Sequence, residues 1–432
     1  MEVAFHTLGC KVNQYETQAM RKLLTEQGYD TQEFVPGDTH ALYADVLVIN
    51  SCTVTGESDR KLRQLLRRCR RDNPHAVLVL TGCMPQAFPE AAAGFTEADI
   101  VLGNAARRSL PAHIRAFFAS GERIVDIGRH DAAIEPLDID DFQGRTRAFV
   151  KIQDGCNRFC SYCIIPYARG RVRSKPLEDV RAELEALAAH GYREVVLVGI
   201  NLTAYGQEWG LTIADAVEAA CGVGGLRRVR LGSLEPDALS PDVIRRLAAQ
   251  PKLCPQFHLA LQSGCDATLR RMNRHYTTAE YRALCDALRA AIPDCTFTTD
   301  VMVGFPGEDE EEFEQSLAFV ASIGFSRIHV FAYSRRPGTP AATAPHQVPA
   351  AVKAERSRRM MAAGEAQCDA YARSWVGRTA EVLLETRQAD GFTEGYTPQY
   401  LPVRVRTDKL PGTCVTVRIT GHEKGSCIGE EA

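Results

Sequence analysis

At 432 residues, 45 % of them hydrophobic and 24 % charged, the chain has the composition of an ordinary globular protein and the length of about two to four domains. Its formal net charge of −3 excludes a uniformly basic nucleic-acid binder but leaves room for local basic patches. No basic amino-terminal stretch leads into an apolar run, and no apolar stretch approaches the ~18 residues that cross a membrane, so a cytoplasmic chain without a membrane segment is expected.

In chain order, the first part alternates short β-rich runs with helical patterns. Residues 3–7, 45–50, 76–81 and 99–102 read as buried parallel strands, and 13–27 as a helix stopped by Gly28. Such alternation predicts an open α/β sheet, whose ligands bind outside the carboxyl ends of the strands. Cys10, Cys52 and Cys83 each follow one of these strands. A lone cysteine in a βα turn is usually a small core residue. Three at equivalent positions predict a common three-thiolate site. The basic run 60–71 after Cys52 reads either as a solvated helix face or as a surface for phosphates. Residues 130–147 carry five acids and no clean period, which predicts a linker at a domain boundary.

A strand at 148–153 leads into the most informative stretch, Asp154-Gly-Cys156-Asn-Arg-Phe-Cys160-Ser-Tyr-Cys163-Ile-Ile-Pro-Tyr-Ala-Arg-Gly170. A fully protein-held iron–sulfur cube takes four thiolates, so three leave one iron open to a ligand. Cys160-x-x-Cys163 alone would equally suit zinc or a redox pair. The full triplet after a strand resembles the radical S-adenosylmethionine (SAM) enzymes. That resemblance implies an open iron that chelates SAM and, given one electron, yields a deoxyadenosyl radical.

Further strands are predicted at 194–199, 228–232, 256–262, 296–303 and 327–333, with helices between them such as 176–190 and 309–323. Six strand–helix units predict an incomplete (β/α) barrel with its active site at the carboxyl ends of the strands. Polar residues at those ends, Asn201, Ser233, Glu235, Gln262 (with Ser263) and Asp300, are candidates for holding SAM, although loop capping accounts for such residues equally well. Arg169, Arg171 and Arg173 after the triplet are candidates for contacting RNA, with a second basic group at Arg270, Arg271, Arg274 and His275. After a helix at 350–373, the β-runs 379–384, 401–406 and 413–419 predict a small β-barrel.

Taken whole, the chain resembles the radical-SAM methylthiotransferases. Thr7-Leu-Gly-Cys-Lys-Val-Asn-Gln-Tyr-Glu-Thr17, the triplet segment 155–170 and Val330-Phe-Ala-Tyr-Ser-Arg-Arg-Pro-Gly-Thr-Pro-Ala-Ala342 look like the branch acting on N6-threonylcarbamoyladenosine. Asn-Ser-Cys52 and His258-Leu-Ala-Leu-Gln-Ser-Gly264 depart slightly from the family pattern. The resemblance implies an N-terminal α/β domain over 1–135, a radical-SAM core over 142–373 and a TRAM-like barrel over 374–432. It implies two 4Fe–4S clusters, one on Cys10, Cys52 and Cys83 and one on Cys156, Cys160 and Cys163, with SAM as methyl donor and radical source. The implied reaction inserts a methylthio group at C2 of the modified adenosine at position 37 of the tRNA, with an anticodon loop as partner and an electron donor and sulfur source not named by the sequence. Methylthiolation of a ribosomal protein and a non-enzymatic metal protein that binds RNA are the competing readings.

Overall fold

In a computed structural model, which describes residues 1–36 and 44–432, the amino-terminal strands are β1 (Glu2–Thr7), β2 (Asp30–Glu33), β3 (Val46–Ser51), β4 (Val77–Gly82), β5 (Ile100–Leu102) and β6 (Ile124–Asp126). They form one parallel sheet in the order β2-β1-β3-β4-β5-β6. Every residue of β3 and β4 is buried because helices cover both faces, which is why these strands read as unbroken apolar runs. The sequence reading missed β2, a polar edge strand, and β6, which has three residues.

The first helix, Lys11–Thr25, has two apolar stripes. Met20 and Leu24 pack with Val3, Phe5, Val46 and Val48 of the sheet, whereas Val12, Tyr15 and Ala19 belong to the core of the central region. Spacings of three and four residues put each stripe on one side of the helix. The helix is therefore shared between two layers. The stretch 130–147, expected as a loose acidic linker, is instead stitched down. Leu137, Ile139 and Phe142 are buried in that same central core, while Asp138 and Asp140 pair with Lys22 of the helix.

Central strands β7 (Arg147–Lys151), β10 (Glu194–Val198) and β11 (Arg228–Leu231) form one parallel sheet. A second consists of β12 (Ser233–Leu234), β13 (Gln256–Leu259), β14 (Thr296–Val303) and β15 (Arg327–Ala332). Gly232 interrupts the third predicted strand and separates the two sheets, so the six strand–helix units form an open arc. Between β7 and β10 in the chain, the two-residue strands β8 (Gln153–Asp154) and β9 (Arg173–Ser174) pair antiparallel and close a loop over the strand ends. Helix Ala350–Arg373 lies on β15, where Gly364 lets it approach so closely that a Cβ would sit 3.3 Å from that of Ile328.

The carboxyl-terminal strands β16 (Thr379–Arg387), β17 (Phe392–Tyr396), β18 (Pro402–Arg406), β19 (Cys414–Glu423) and β20 (Ser426–Glu431) close into a barrel in the order β16-β17-β18-β20-β19. Its interior holds Val382, Leu384, Val403, Val405, Val417 and Ile419, at the alternating positions a half-buried strand requires. This barrel docks on the amino-terminal end of the central strands. The Arg147 guanidinium lies 4.9 Å from the ring centroids of both Tyr396 and Tyr400 and pairs with Glu385 at 2.5 Å. Buried Glu194 binds Arg230 at 2.9 Å, and Arg228 reaches across to Glu381 at 2.9 Å.

Replacing Arg147 by Met would leave Glu385 without a cation beside buried Glu194. Breaking such a pair costs about 3 kcal/mol. The expected result is a lower melting temperature with faster proteolysis near residues 374–378; an unchanged melt would show that the docking does not depend on this guanidinium.

Candidate functional site

The loop between β8 and β9 carries Cys156, Cys160 and Cys163. Gly155 opens it at φ 76°, where a Cβ would lie 1.8 Å from the Arg171 carbonyl oxygen, so only glycine fits. The Cys156 amide donates to the Gly170 carbonyl (3.0 Å) and the Cys163 amide to that of Cys160 (2.9 Å). Ser161 ties the loop to the far wall, donating to Met272 (3.0 Å) and accepting from the Ala341 amide (2.8 Å). Beneath the loop, Arg274 Nη1 lies 3.4 Å from Cys160 Sγ and 3.2 Å from Glu235 Oε1. Burial pushes the Cys163 thiol up to about 12, with the Cys160 charge adding to it, and pushes Cys156 up to about 11. Three thiolates here need a cationic body among them.

Adjacent strands of the first sheet deliver the second triad. Cys10 follows β1 and caps helix Lys11–Thr25, Cys52 follows β3, and Cys83 follows β4. Because β1, β3 and β4 are neighbours, cysteines far apart in sequence stand side by side. Gly82, at φ 105°, brings β4 so near β3 that a Cβ would sit 2.3 Å from the Ser51 carbonyl oxygen. Asn13 and Asn50 tie the first two loops together, Asn50 Nδ2 donating to the Asn13 carbonyl (2.9 Å) and Asn13 Nδ2 to Asn50 Oδ1 (3.2 Å). Burial, with the Cys83 charge next, pushes the Cys52 thiol up to about 12, and burial raises Cys10 as well.

All six cysteines are free of disulfides. Tetrahedral zinc with Zn–S bonds of ~2.3 Å needs sulfurs about 3.8 Å apart. Among the described residues no three His, Cys, Asp or Glu side chains gather in the way a single metal ion requires. The sulfurs of each triad are near enough to raise one another's pKa, and three thiolates suit a four-iron cluster that keeps one iron open.

The two triads are linked through buried charge, which the sequence reading did not anticipate. Glu16, fully buried on the first helix, binds Lys151 Nζ at 2.9 Å and Nη2 of both Arg107 and Arg169 at 3.0 Å. Asp154 binds Lys151 at 3.2 Å and lies 3.5 Å from Arg169. From this network Arg169 Nε reaches Cys83 Sγ at 3.2 Å. Arg169, on the loop that carries Cys156, Cys160 and Cys163, thus touches the other triad.

That burial corrects the assignment of the arginines to RNA. Arg169 is 0 % exposed and Arg173 6 %, the latter donating to the Arg169 carbonyl at 2.5 Å. Neither can reach a phosphate. Arg171 alone is exposed, its guanidinium 5.1 Å from the Phe159 ring centroid. The SAM candidates are also dispersed. Glu235 is engaged by Arg274, and Ser233 is exposed at the mouth of the arc. Asn201 is buried, accepts from Thr203 Oγ1 at 3.0 Å, and lines a cleft with Asn157, Arg158 and His275. Gln262 and Asp300 line a different cavity. Gln262 has φ 65° and donates its amide to the Asp300 carbonyl (2.8 Å), while Asp300 Oδ2 lies 3.3 Å from His258 Nε2.

This second cavity, of about 200 Å³, is lined by Cys163 of one triad and by the segment that follows Cys52 of the other. Val54 and Thr55, just past Cys52, form one side; Tyr162 to Ile165, around Cys163, form another; Met302, Phe331 and Tyr333 complete it. Gly56 anchors the two halves, its amide donating to Ser334 Oγ at 3.1 Å, as does Arg336, which binds Asp59 at 2.8 Å.

Glu16 gives this arrangement a pH signature. Burial alone would raise its pKa, but Arg107, Arg169 and Lys151 hold it at about 2, below the usual 4.5. A depressed carboxylate stabilises fully above pH 4.5 and loses that contribution as pH falls toward 2. The contribution is about 3 kcal/mol. A Glu16→Gln variant is expected to melt lower than the wild type at pH 7, with the gap narrowing steadily below pH 4. A gap that stays constant down to pH 2.5 would remove this carboxylate as its source.

Comparison with known proteins agrees with this geometry. A model of the radical SAM superfamily matches residues 150–320, and one described as uncharacterized protein family UPF0004 matches residues 2–103. The threonylcarbamoyladenosine tRNA methylthiotransferase MtaB of Bacillus subtilis is 39 % identical over 96 % of this chain and 93 % of the relative. Its namesake in Thermotoga maritima is 36 % identical over 92 % and 90 %, and a tRNA-2-methylthio-N(6)-dimethylallyladenosine synthase of Clostridium perfringens is 34 % identical over 98 % and 96 %. Among solved structures, the radical SAM methyltransferase TsrM of Kitasatospora setae shares the fold with a TM-score of 0.57 at 15 % identity, over 79 % of this chain and 77 % of that one. At 39 % and 36 % identity to the MtaB enzymes along nearly the whole length, above the 34 % shared with the dimethylallyladenosine synthase, the chain belongs to the MtaB family of threonylcarbamoyladenosine tRNA methylthiotransferases.

Proposed function

We propose that this chain inserts a methylthio group at C2 of N6-threonylcarbamoyladenosine in the anticodon loop of tRNA, in the cavity between its two cysteine triads. The observation that carries the reading is that one cavity takes its walls from residues next to Cys52 and residues next to Cys163. Both reacting partners must meet at one carbon, and a site open to a single triad could not serve that. The C2 hydrogen of adenine has no useful acidity, so no general base can activate it. When bound, an iron–sulfur cluster with SAM supplies one-electron chemistry that removes this hydrogen, and a second cluster supplies the sulfur.

The residues then divide as follows. Cys156, Cys160 and Cys163 would hold one cluster and Cys10, Cys52 and Cys83 the other, each leaving one iron open. Arg274 donates toward Cys160 and Arg169 toward Cys83, placing a cation beside each set of thiolates. Gln262 and Asp300 face the cavity and Asn201 the neighbouring cleft, the places where SAM and the base would be oriented. Exposed Phe331 and Val54 supply the apolar surface against which a flipped base can stack. Arg171 with Phe159 and Tyr167 offers a cation and aromatic rings beside the loop, a surface suited to single-stranded RNA. The working division is an α/β domain over 1–135, a core over 142–373 and a terminal barrel over 374–432. The electron donor and the sulfur source stay unidentified.

The test is mass spectrometry of nucleosides from total tRNA of cells with and without the gene. Loss of the methylthiolated threonylcarbamoyladenosine, with accumulation of its precursor, is expected; an unchanged profile in cells lacking any second enzyme of this activity would overturn the assignment. In the purified protein, iron should fall from about eight per chain to about four when either triad is replaced by Ala. Deoxyadenosine formation should vanish only with Cys156, Cys160 and Cys163.

A further inference from the structure

The cavity between the triads ends at Tyr333 and Ser334, and two cations without a counter-charge adjoin these wall residues, Arg335 next in the chain and Lys353 on the Tyr333 carbonyl. Arg335 is exposed, and its Nε donates only to the neutral side-chain oxygen of Gln347 (2.9 Å). Lys353 is half-buried, donates to the Tyr333 carbonyl (3.1 Å) and lies 5.7 Å from the Tyr333 ring centroid. Its aliphatic stem lies across Gly304, where a Cβ would sit 2.1 Å from Lys353 Cγ, and this fixes where the ammonium stands. Among the described residues no carboxylate pairs with either.

Other guanidinium groups near the cavity are already neutralised: Arg336 by Asp59 at 2.8 Å, Arg274 by Glu235 at 2.5 Å and Arg158 by Asp237 at 2.7 Å. Burial lowers the Lys353 pKa and the neighbouring Arg335 charge lowers it further, as happens when like charges share a site with no anion between them. Independently, the Tyr333 hydroxyl is buried and has no hydrogen-bond partner, although Tyr333 is a residue of the cavity wall. A buried donor left unpaired is destabilising unless a ligand satisfies it.

We propose that Arg335, Lys353 and the Tyr333 hydroxyl form an anion-binding corner that receives the carboxylate of the threonylcarbamoyl group and selects it over an apolar N6 substituent. The proposal rests on the function stated above and names its specificity determinant. A carboxylate between a guanidinium and an ammonium takes charge-assisted hydrogen bonds from both. A dimethylallyl group at the same place would leave two cations facing hydrocarbon and the hydroxyl unpaired, and sites built on polar pairing discriminate strongly against partners that cannot supply it. A tRNA phosphate presents the same chemistry, so the test must tell the two sources apart.

The experiment measures the affinity of the full-length, cluster-loaded protein for two anticodon stem–loop RNAs. They differ only in whether the adenosine beside the anticodon carries the threonylcarbamoyl group. Wild type should bind the modified RNA about ten-fold more tightly. The Arg335→Gln, Lys353→Met double variant should lose that preference while its affinity for the unmodified RNA moves less than two-fold, and Arg335→Lys should restore part of it. Neither cation is in an ion pair, so the variant gives up only hydrogen bonds to neutral acceptors and should melt close to wild type. Equal loss on both RNAs would assign the cations to phosphate and overturn the proposal, as would a double variant that keeps its preference. A wild type with no preference that also fails to methylthiolate the modified RNA would overturn the functional reading itself; methylthiolation without preference would overturn only this corner.

Discussion

The buried carboxylate of Glu16 is the constraint on which the rest of the architecture depends. It sits on the helix shared between the first sheet and the central arc, and the cations it binds come from both: Arg107 from the amino-terminal region, Lys151 and Arg169 from the core. A charge without water is tolerable only when its partners are in place, so the two regions cannot shift independently without exposing one or stranding the other. Tyr15, one residue earlier, adds a neutral lock by donating to Glu183 (2.9 Å) across the same boundary. The cavity takes its walls from both of these regions.

The network is also unbalanced in a useful sense. Arg107, Lys151, Arg169 and Arg173 face Glu16, Asp154 and Glu135, which leaves one positive charge in excess. The network meets the first triad at Cys83, where Arg169 Nε is 3.2 Å from the sulfur. A cluster held by three thiolates carries negative charge, and a cation already held in a dry place stabilises it without reorganising. Arg274 repeats the arrangement beside Cys160, with Glu235 and Tyr276 holding the guanidinium.

How much of this is visible in the chain depends on range. The strands β3, β4, β10 and β14 declare themselves because burial on both faces removes alternation and leaves plain apolar runs. The polar edge strand β2 gives no such signal, nor do β17 and β20, which are held by closure of the barrel rather than by their own composition. The triad of Cys156, Cys160 and Cys163 is a local spacing and so can be read directly. That of Cys10, Cys52 and Cys83 needs one further step, the inference that successive parallel strands end at one edge. Arg169 misleads for the converse reason. Basic residues near an RNA-modifying centre suggest phosphate, but nothing local to Arg169 reveals that Glu16, more than a hundred residues earlier, has claimed it. Tyr333 and Lys353 escape notice likewise, since their meaning lies in what they lack.

The thiols themselves show how the site can be stable before it is loaded. With Cys52 and Cys163 pushed up to about 12 and Cys156 to about 11, these three thiols keep their protons at physiological pH in the absence of metal. Burial thus keeps these three from adding unpaired thiolate charge to the folded chain. Metal assembly then has to displace the protons, which makes loading favourable at higher pH and couples it to proton release. Arg169 beside Cys83 and Arg274 beside Cys160 favour the thiolate once metal arrives. The ion network meets one triad at Cys83, Arg274 meets the other at Cys160, and both cations are in place before any metal binds.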